Sequence, residues 1–139
     1  MLKRIVNNAR PPRRFYSSII DKKNLQELIK KEPNDFTLID VRKINEVTGV
    51  FPLIKPAINI PLDELSSAFS LDPVAFKAKY NTNKPTKEDN VILYCKIGLD
   101  SEYGQKELDS LGYKNSKYYK GSAMDWYSSD ADFAKCCGN

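Results

Sequence analysis

The chain has 139 residues, 41% of them apolar, which suits one domain with one core and a short extension. Its net charge of +4 sits at one end: Lys3, Arg4, Arg10, Arg13 and Arg14 fall in residues 1–16, and removing these five from 22 cations leaves 17 against 18 acids. The near-neutral remainder argues against a nucleic-acid surface, no apolar run approaches the ~18–20 residues of a membrane span, and three cysteines without a histidine exclude a disulfide framework, His-assisted catalysis and the usual metal sites, so no metal or other cofactor is expected.

Residues 1–16 are Arg-rich and acid-free, and serines follow them directly. That composition predicts a mitochondrial transit peptide addressed to the matrix. Arg14-Phe15-Tyr16-Ser17 places an arginine two positions before a Tyr16–Ser17 cut. Residues 17–132 are then the folded domain and 133–139 a C-terminal tail.

Ile19-Ile20 predicts a short first strand. Asp21 can cap a helix whose apolar face is Leu25, Leu28 and Ile29, and Pro33 ends it. Phe36 to Ile39 predicts a buried strand running into Asp40-Val41-Arg42, with a short helix over 43–48 and a stop at Gly49. Ala57 to Ile60 is a further short strand closed by Pro61. Asp72-Pro73 is a cap followed by proline at the first helical position, opening a helix through Tyr80. Residues 81–90 are polar and read as a loop.

Val91-Ile92-Leu93-Tyr94 is an unbroken apolar run, the mark of a central parallel strand covered on both faces. Cys95 follows at once. The next six residues predict a tight loop, and Ser101 to Leu111 a helix with Leu108 and Leu111 inward and Gly112 at its end. Lys117-Tyr118-Tyr119 is a last strand. Ser122 caps a short final helix holding Met124 and Trp126, and Tyr118, Tyr119 and Tyr127 read as packing residues. Strands alternating with helices predict an α/β domain: a mainly parallel sheet of about five strands with helices on both faces. Ligands of such sheets bind beyond the C-terminal strand ends, where Cys95 and the Asp40–Arg42 turn both fall.

Cys95 is the candidate reactive centre. Backbone N–H groups at a helix start carry partial positive charge, and a tight loop can aim several at one anion. A thiolate or persulfide at Cys95 would be that anion. Gly98 lets the loop turn, and Lys96 adds a full positive charge. A buried structural cysteine after a core strand is the plainer alternative.

Five segments then appear together in order: Asp40-Val41-Arg42, Ala57 to Pro61, Tyr94 to Gly98, Leu111 to Asn115, and Gly121-Ser122 with Asp125-Trp126. With this order and spacing the chain resembles rhodanese-like domains over roughly residues 19–128, most of all the single-domain mitochondrial thiosulfate sulfurtransferases. The resemblance implies a rhodanese-like α/β fold and sulfur transfer through a Cys95 persulfide. It makes Cys95 the nucleophile and Lys96, Ile97, Gly98, Leu99, Asp100 and Ser101 its cradle, with Asp40 and Arg42 beside it as structural or substrate-facing residues. The implied partners are small sulfur donors such as thiosulfate, and thiophiles such as cyanide, glutathione or a protein thiol.

Two departures stand out. Asp100 occupies a position where the family often has arginine, and Gly49 to Pro56 lacks the usual histidine and carries extra residues. Asp100 could help cap the helix, or could repel a dianionic donor. At ~6 Å and an effective dielectric of ~20 such a charge is worth about 2.8 kcal/mol, falling below ~1 in water. A persulfide donor other than thiosulfate, or a non-catalytic binding module, are therefore alternatives. A phosphatase of this fold would need an arginine fork six positions after the cysteine; Ser101 stands there and no arginine follows Cys95. Cys136-Cys137 in the tail are read as an unstructured terminus or, alternatively, as acceptor thiols for the Cys95 sulfur.

Overall fold

A computed structural model describes residues 18–47 and 49–128. The leader expected over 1–16 and the tail with Cys136 and Cys137 lie outside the described residues.

The sheet has five strands: β1 (Ile19–Ile20), β2 (Phe36–Asp40), β3 (Ile58–Asn59), β4 (Asn90–Tyr94) and β5 (Ser116–Tyr119). Their order is β1-β5-β4-β2-β3, and every pairing is parallel. The helices are α1 (Lys22–Lys31), α2 (Leu65–Ala68), α3 (Pro73–Tyr80), α4 (Leu99–Ser110) and α5 (Ser122–Trp126). Single 3₁₀ turns at Ile44–Glu46 and Leu62–Glu64 complete the elements; the first of them replaces the short helix expected over 43–48.

Side chains alternate across the strands, so β2, β4 and β5 each feed two cores. Ile39, Val91, Leu93 and Tyr118 point into one, which Leu65, Phe69, Phe76 and Leu108 fill from α2, the residue after it, α3 and α4. Leu38, Ile92, Tyr94 and Tyr119 point into the other, covered by Leu25 of α1 and Ala123 of α5. Helices therefore lie on both faces, and β4 is buried on both, as its unbroken apolar run requires.

Local signals set most boundaries. Asp21 Oδ1 accepts the Asn24 N–H at 2.9 Å and starts α1; Asp72 Oδ1 accepts the Ala75 N–H at 2.8 Å and starts α3. Three expectations need correction. Helix α4 opens at Leu99, not Ser101, because Gly98 at φ +104 turns the chain sooner. Leu111 closes that helix and is 36% exposed rather than inward. Ser122 does not cap α5: Gly121 holds that position, and the Ser122 hydroxyl turns back toward β4 and β5. Tyr118 and Tyr119 are buried, whereas Tyr127 lies at the surface and stacks on Phe51.

Phe76 is fully buried and meets Phe69 edge-on at 5.8 Å. Phe76→Ala is expected to cost about 3–5 kcal/mol, the range for deleting a buried aromatic ring. Urea unfolding followed by circular dichroism measures it.

Candidate active site

Cys95 leaves the end of β4 directly and is 3% exposed. The loop it opens is short, because Gly98 already caps α4. Gly98 at φ +104 adopts a backbone that other residues rarely hold, and a Cβ there would collide with the Lys120 carbonyl oxygen. The loop can therefore press against the segment after β5 only with glycine at 98.

This turn brings donors to the sulfur. The Gly98 N–H donates to Cys95 Sγ at 3.1 Å and the Ser101 N–H at 3.4 Å. Ser101 Oγ accepts from Cys95 Sγ at 3.4 Å while its own proton is donated to Gly98 O at 3.1 Å, and it can turn to Sγ when the sulfur is ionised. Ser122 Oγ is 3.8 Å from Sγ on another side. Two peptide N–H groups and two hydroxyls thus converge on one buried sulfur, and an anion there would be solvated by protein in place of water.

Of the expected cradle Lys96 to Ser101, Gly98 and Ser101 supply these contacts. Lys96, Ile97, Leu99 and Asp100 are exposed and form the rim. Asp100 belongs to the first turn of α4, where a negative charge favours the helix. Because its side chain faces water, its effect on the sulfur falls at the weak end of the range above. Ser122 was missed as a site residue. Its contact with Cys95 spans 27 positions, and no local pattern signals it.

The site loop is also tied down from behind. The Ala123 N–H donates to Cys95 O at 2.9 Å and the Met124 N–H to Lys96 O at 3.1 Å. The start of α5 is thereby clamped to the backbone of the Cys95 loop.

Asp40 and Arg42 lie at the same end of the sheet, since β2 pairs with β4 and Asp40 is in register with Tyr94. They engage each other. Arg42 Nη2 donates to Asp40 Oδ2 at 2.6 Å and Nε to both carboxylate oxygens at 3.0 Å, while Nη1 reaches Glu46 O and Phe51 O at 3.2 and 2.9 Å. Burial works against the Arg42 charge, but the hydrogen bond and charge of Asp40 prevail and raise its pKa. Asn59 Nδ2 donates to Asp40 O and Arg42 O, both at 2.9 Å. Tyr94, whose phenol is kept protonated chiefly by burial and then by Asp40, accepts the Ile54 N–H at 2.8 Å. Asp40, Arg42 and Tyr94 thus form a polar anchor for the segment 43–56, with most of the guanidinium donors spent on it. No group of three or more His, Cys, Asp or Glu among the described residues could hold a metal ion.

A parallel α/β domain that presents a cysteine in a donor-lined loop at the end of its central strand belongs to a recognisable class. Residues 21–129 match the rhodanese-like domain model, and the chain belongs to the rhodanese-like family of sulfurtransferases. It is 44% identical to a rhodanese domain-containing protein of Drosophila melanogaster, over 72% of this chain and 91% of that one. It is 34% identical to the thiosulfate:glutathione sulfurtransferase of Homo sapiens, over 68% and 81%. A Saccharomyces cerevisiae relative, 30% identical over 69% of this chain and 64% of that one, is named a mitochondrial thiosulfate sulfurtransferase. Among solved structures, a human single-domain sulfurtransferase superposes with a TM-score of 0.73 at 30% identity, covering 80% of this chain and 96% of that one.

Arg42→Ala would leave the Asp40 carboxylate buried without its partner, which is expected to cost about 3–5 kcal/mol in chemical denaturation. Gly98→Ala is expected to cost about 1–3 kcal/mol from backbone strain. The collision with Lys120 O would also displace the Gly98 N–H, so Cys95 alkylation should slow as the thermal midpoint falls.

Proposed function

We propose that this protein is a sulfurtransferase that carries a sulfane sulfur as a Cys95 persulfide. The observation that supports it most is the convergence of the Gly98 and Ser101 N–H groups and the Ser101 hydroxyl on Cys95 Sγ. In the first half-reaction the Cys95 thiolate attacks the outer sulfur of the donor. The donor's S–S bond breaks, and its electron pair leaves with sulfite, or with a thiolate if the donor is a persulfide. In the second, an acceptor thiolate attacks the outer sulfur of the Cys95 persulfide, and Cys95 Sγ leaves as a thiolate. Charge stays on sulfur throughout, so the loop donors act as an oxyanion hole does for oxygen.

Donor and acceptor follow from what would fit the rim. Exposed Lys96 favours an anionic donor such as thiosulfate, and exposed Ile97 and Leu99 offer contact to an organic thiol such as glutathione or a protein cysteine. Residues 17–132 form the catalytic domain in this proposal and 133–139 a tail. Residues 1–16 would direct the chain to the mitochondrial matrix, supported by their acid-free, Arg-rich composition and by the relative named mitochondrial. No helix among the described residues is long and apolar enough to cross a membrane.

The test is intact mass after brief exposure to thiosulfate and, separately, to glutathione persulfide. A gain of one sulfur, about 32 Da for a persulfide, mapped to Cys95 by peptide analysis and absent in Cys95→Ser, is the expected result. A Cys95→Ser variant that transferred sulfur as fast as the parent would end the proposal. No gain with either donor would favour a non-catalytic binding module.

A further inference from the structure

Ser122 is fully buried and stands at φ +59, in the left-handed region that favours glycine. Held there, its hydroxyl has a fixed set of neighbours. Oγ accepts the Cys95 N–H at 3.1 Å, donates to Tyr119 O at 2.8 Å, and lies 3.8 Å from Cys95 Sγ. A hydroxyl has one proton and two lone pairs. With its proton on Tyr119 O, Ser122 Oγ can accept the thiol proton of Cys95. With Sγ ionised, a turn about the Cβ–Oγ bond moves the hydroxyl proton from the carbonyl to the sulfur. Ser101 has the same choice between Gly98 O and Sγ.

We infer that Ser122 is a working residue of the sulfur site, its hydroxyl turning from the Tyr119 carbonyl to Cys95 Sγ whenever that sulfur carries charge. Resting on the sulfur-transfer reading, the inference adds that one donor serves both half-reactions, because Sγ is the attacking thiolate in the first and the departing thiolate in the second. Ser122 takes no part in bond making. Glycine would relieve this backbone angle but could not bond the Cys95 N–H or the Tyr119 carbonyl, so the hydroxyl is what a serine here adds, and strained residues of this kind gather at functional sites.

Ser122→Gly and Ser122→Ala separate hydroxyl from backbone, since neither has the hydroxyl and only glycine suits the φ angle. The first readout is Cys95 alkylation by iodoacetamide against pH, followed at the Cys95 peptide so that Cys136 and Cys137 do not interfere. The second is single-turnover persulfide formation from thiosulfate and from glutathione persulfide. Both variants are expected to move the alkaline rise of Cys95 alkylation up by about one pH unit and to slow persulfide formation about tenfold below that rise. The donor concentration giving half-maximal rate should not change, because the hydroxyl is buried. Wild-type alkylation behaviour in Ser122→Gly would overturn the inference, as would a defect confined to Ser122→Ala, which would trace to strain. If Ser122→Ala does not fold, Ser122→Gly decides alone. A wild-type protein that takes sulfur from neither donor would count against sulfur transfer, while the alkylation profile would still judge Ser122.

Discussion

A cysteine that is 3% exposed can hold negative charge on its sulfur only if protein donors replace the water it has lost. The rest of the site follows from that constraint. Strand β4 must run deep between two cores to deliver the sulfur to a dry position. The chain must then turn at once, so that peptide N–H groups face back toward the atom just passed. Gly98 makes the turn with a backbone angle and a close approach to Lys120 that a side chain would forbid. Helix α4 begins immediately, and the N–H groups of its cap Gly98 and of Ser101 in its first turn point where the charge would form.

Rigidity around this turn comes from two anchors on one face of the sheet. In the first, α5 donates hydrogen bonds to Cys95 O and Lys96 O. In the second, Arg42, paired with Asp40, donates to the carbonyls of Glu46 and Phe51. Phe51 in turn stacks on Tyr127 beyond the end of α5, and the Tyr127 hydroxyl donates to Leu53 O. The far part of the connection between β2 and β3 is thereby fastened to the same helix that clamps the Cys95 loop. A buried ion pair is a poor source of net stability; here its use is to hold the carbonyls of Glu46 and Phe51, in a connection whose described residues are mostly exposed.

Much of this was legible in the sequence, for local reasons. Asp21 and Asp72 announce α1 and α3 because a cap acts on a residue three positions away. Val91 to Tyr94 announces a central strand because burial on both faces leaves no polar position. The four residues of α2 were too few for a period to show. The start of α4 is hard to read because its cap is a glycine, which lacks the side-chain oxygen that marks most helix starts, while Ser101 three residues on looks like one. Ser122 was invisible as a site residue because its partner lies across the sheet, and a serine after glycine reads locally as a helix cap. Asp40 and Arg42 were found by motif, but their bonding to Glu46 and Phe51 depends on the path of a connection that no periodicity describes.

The sheet's outer strands carry one more consequence. Both β1 and β3 are two residues long, and they are the edges. A long bare edge offers a ladder of unpaired amides to any neighbouring chain and invites lasting adhesion. Edges this short offer almost no ladder. The domain can therefore meet other molecules at the Cys95 end of its sheet without its margins pairing strands with them.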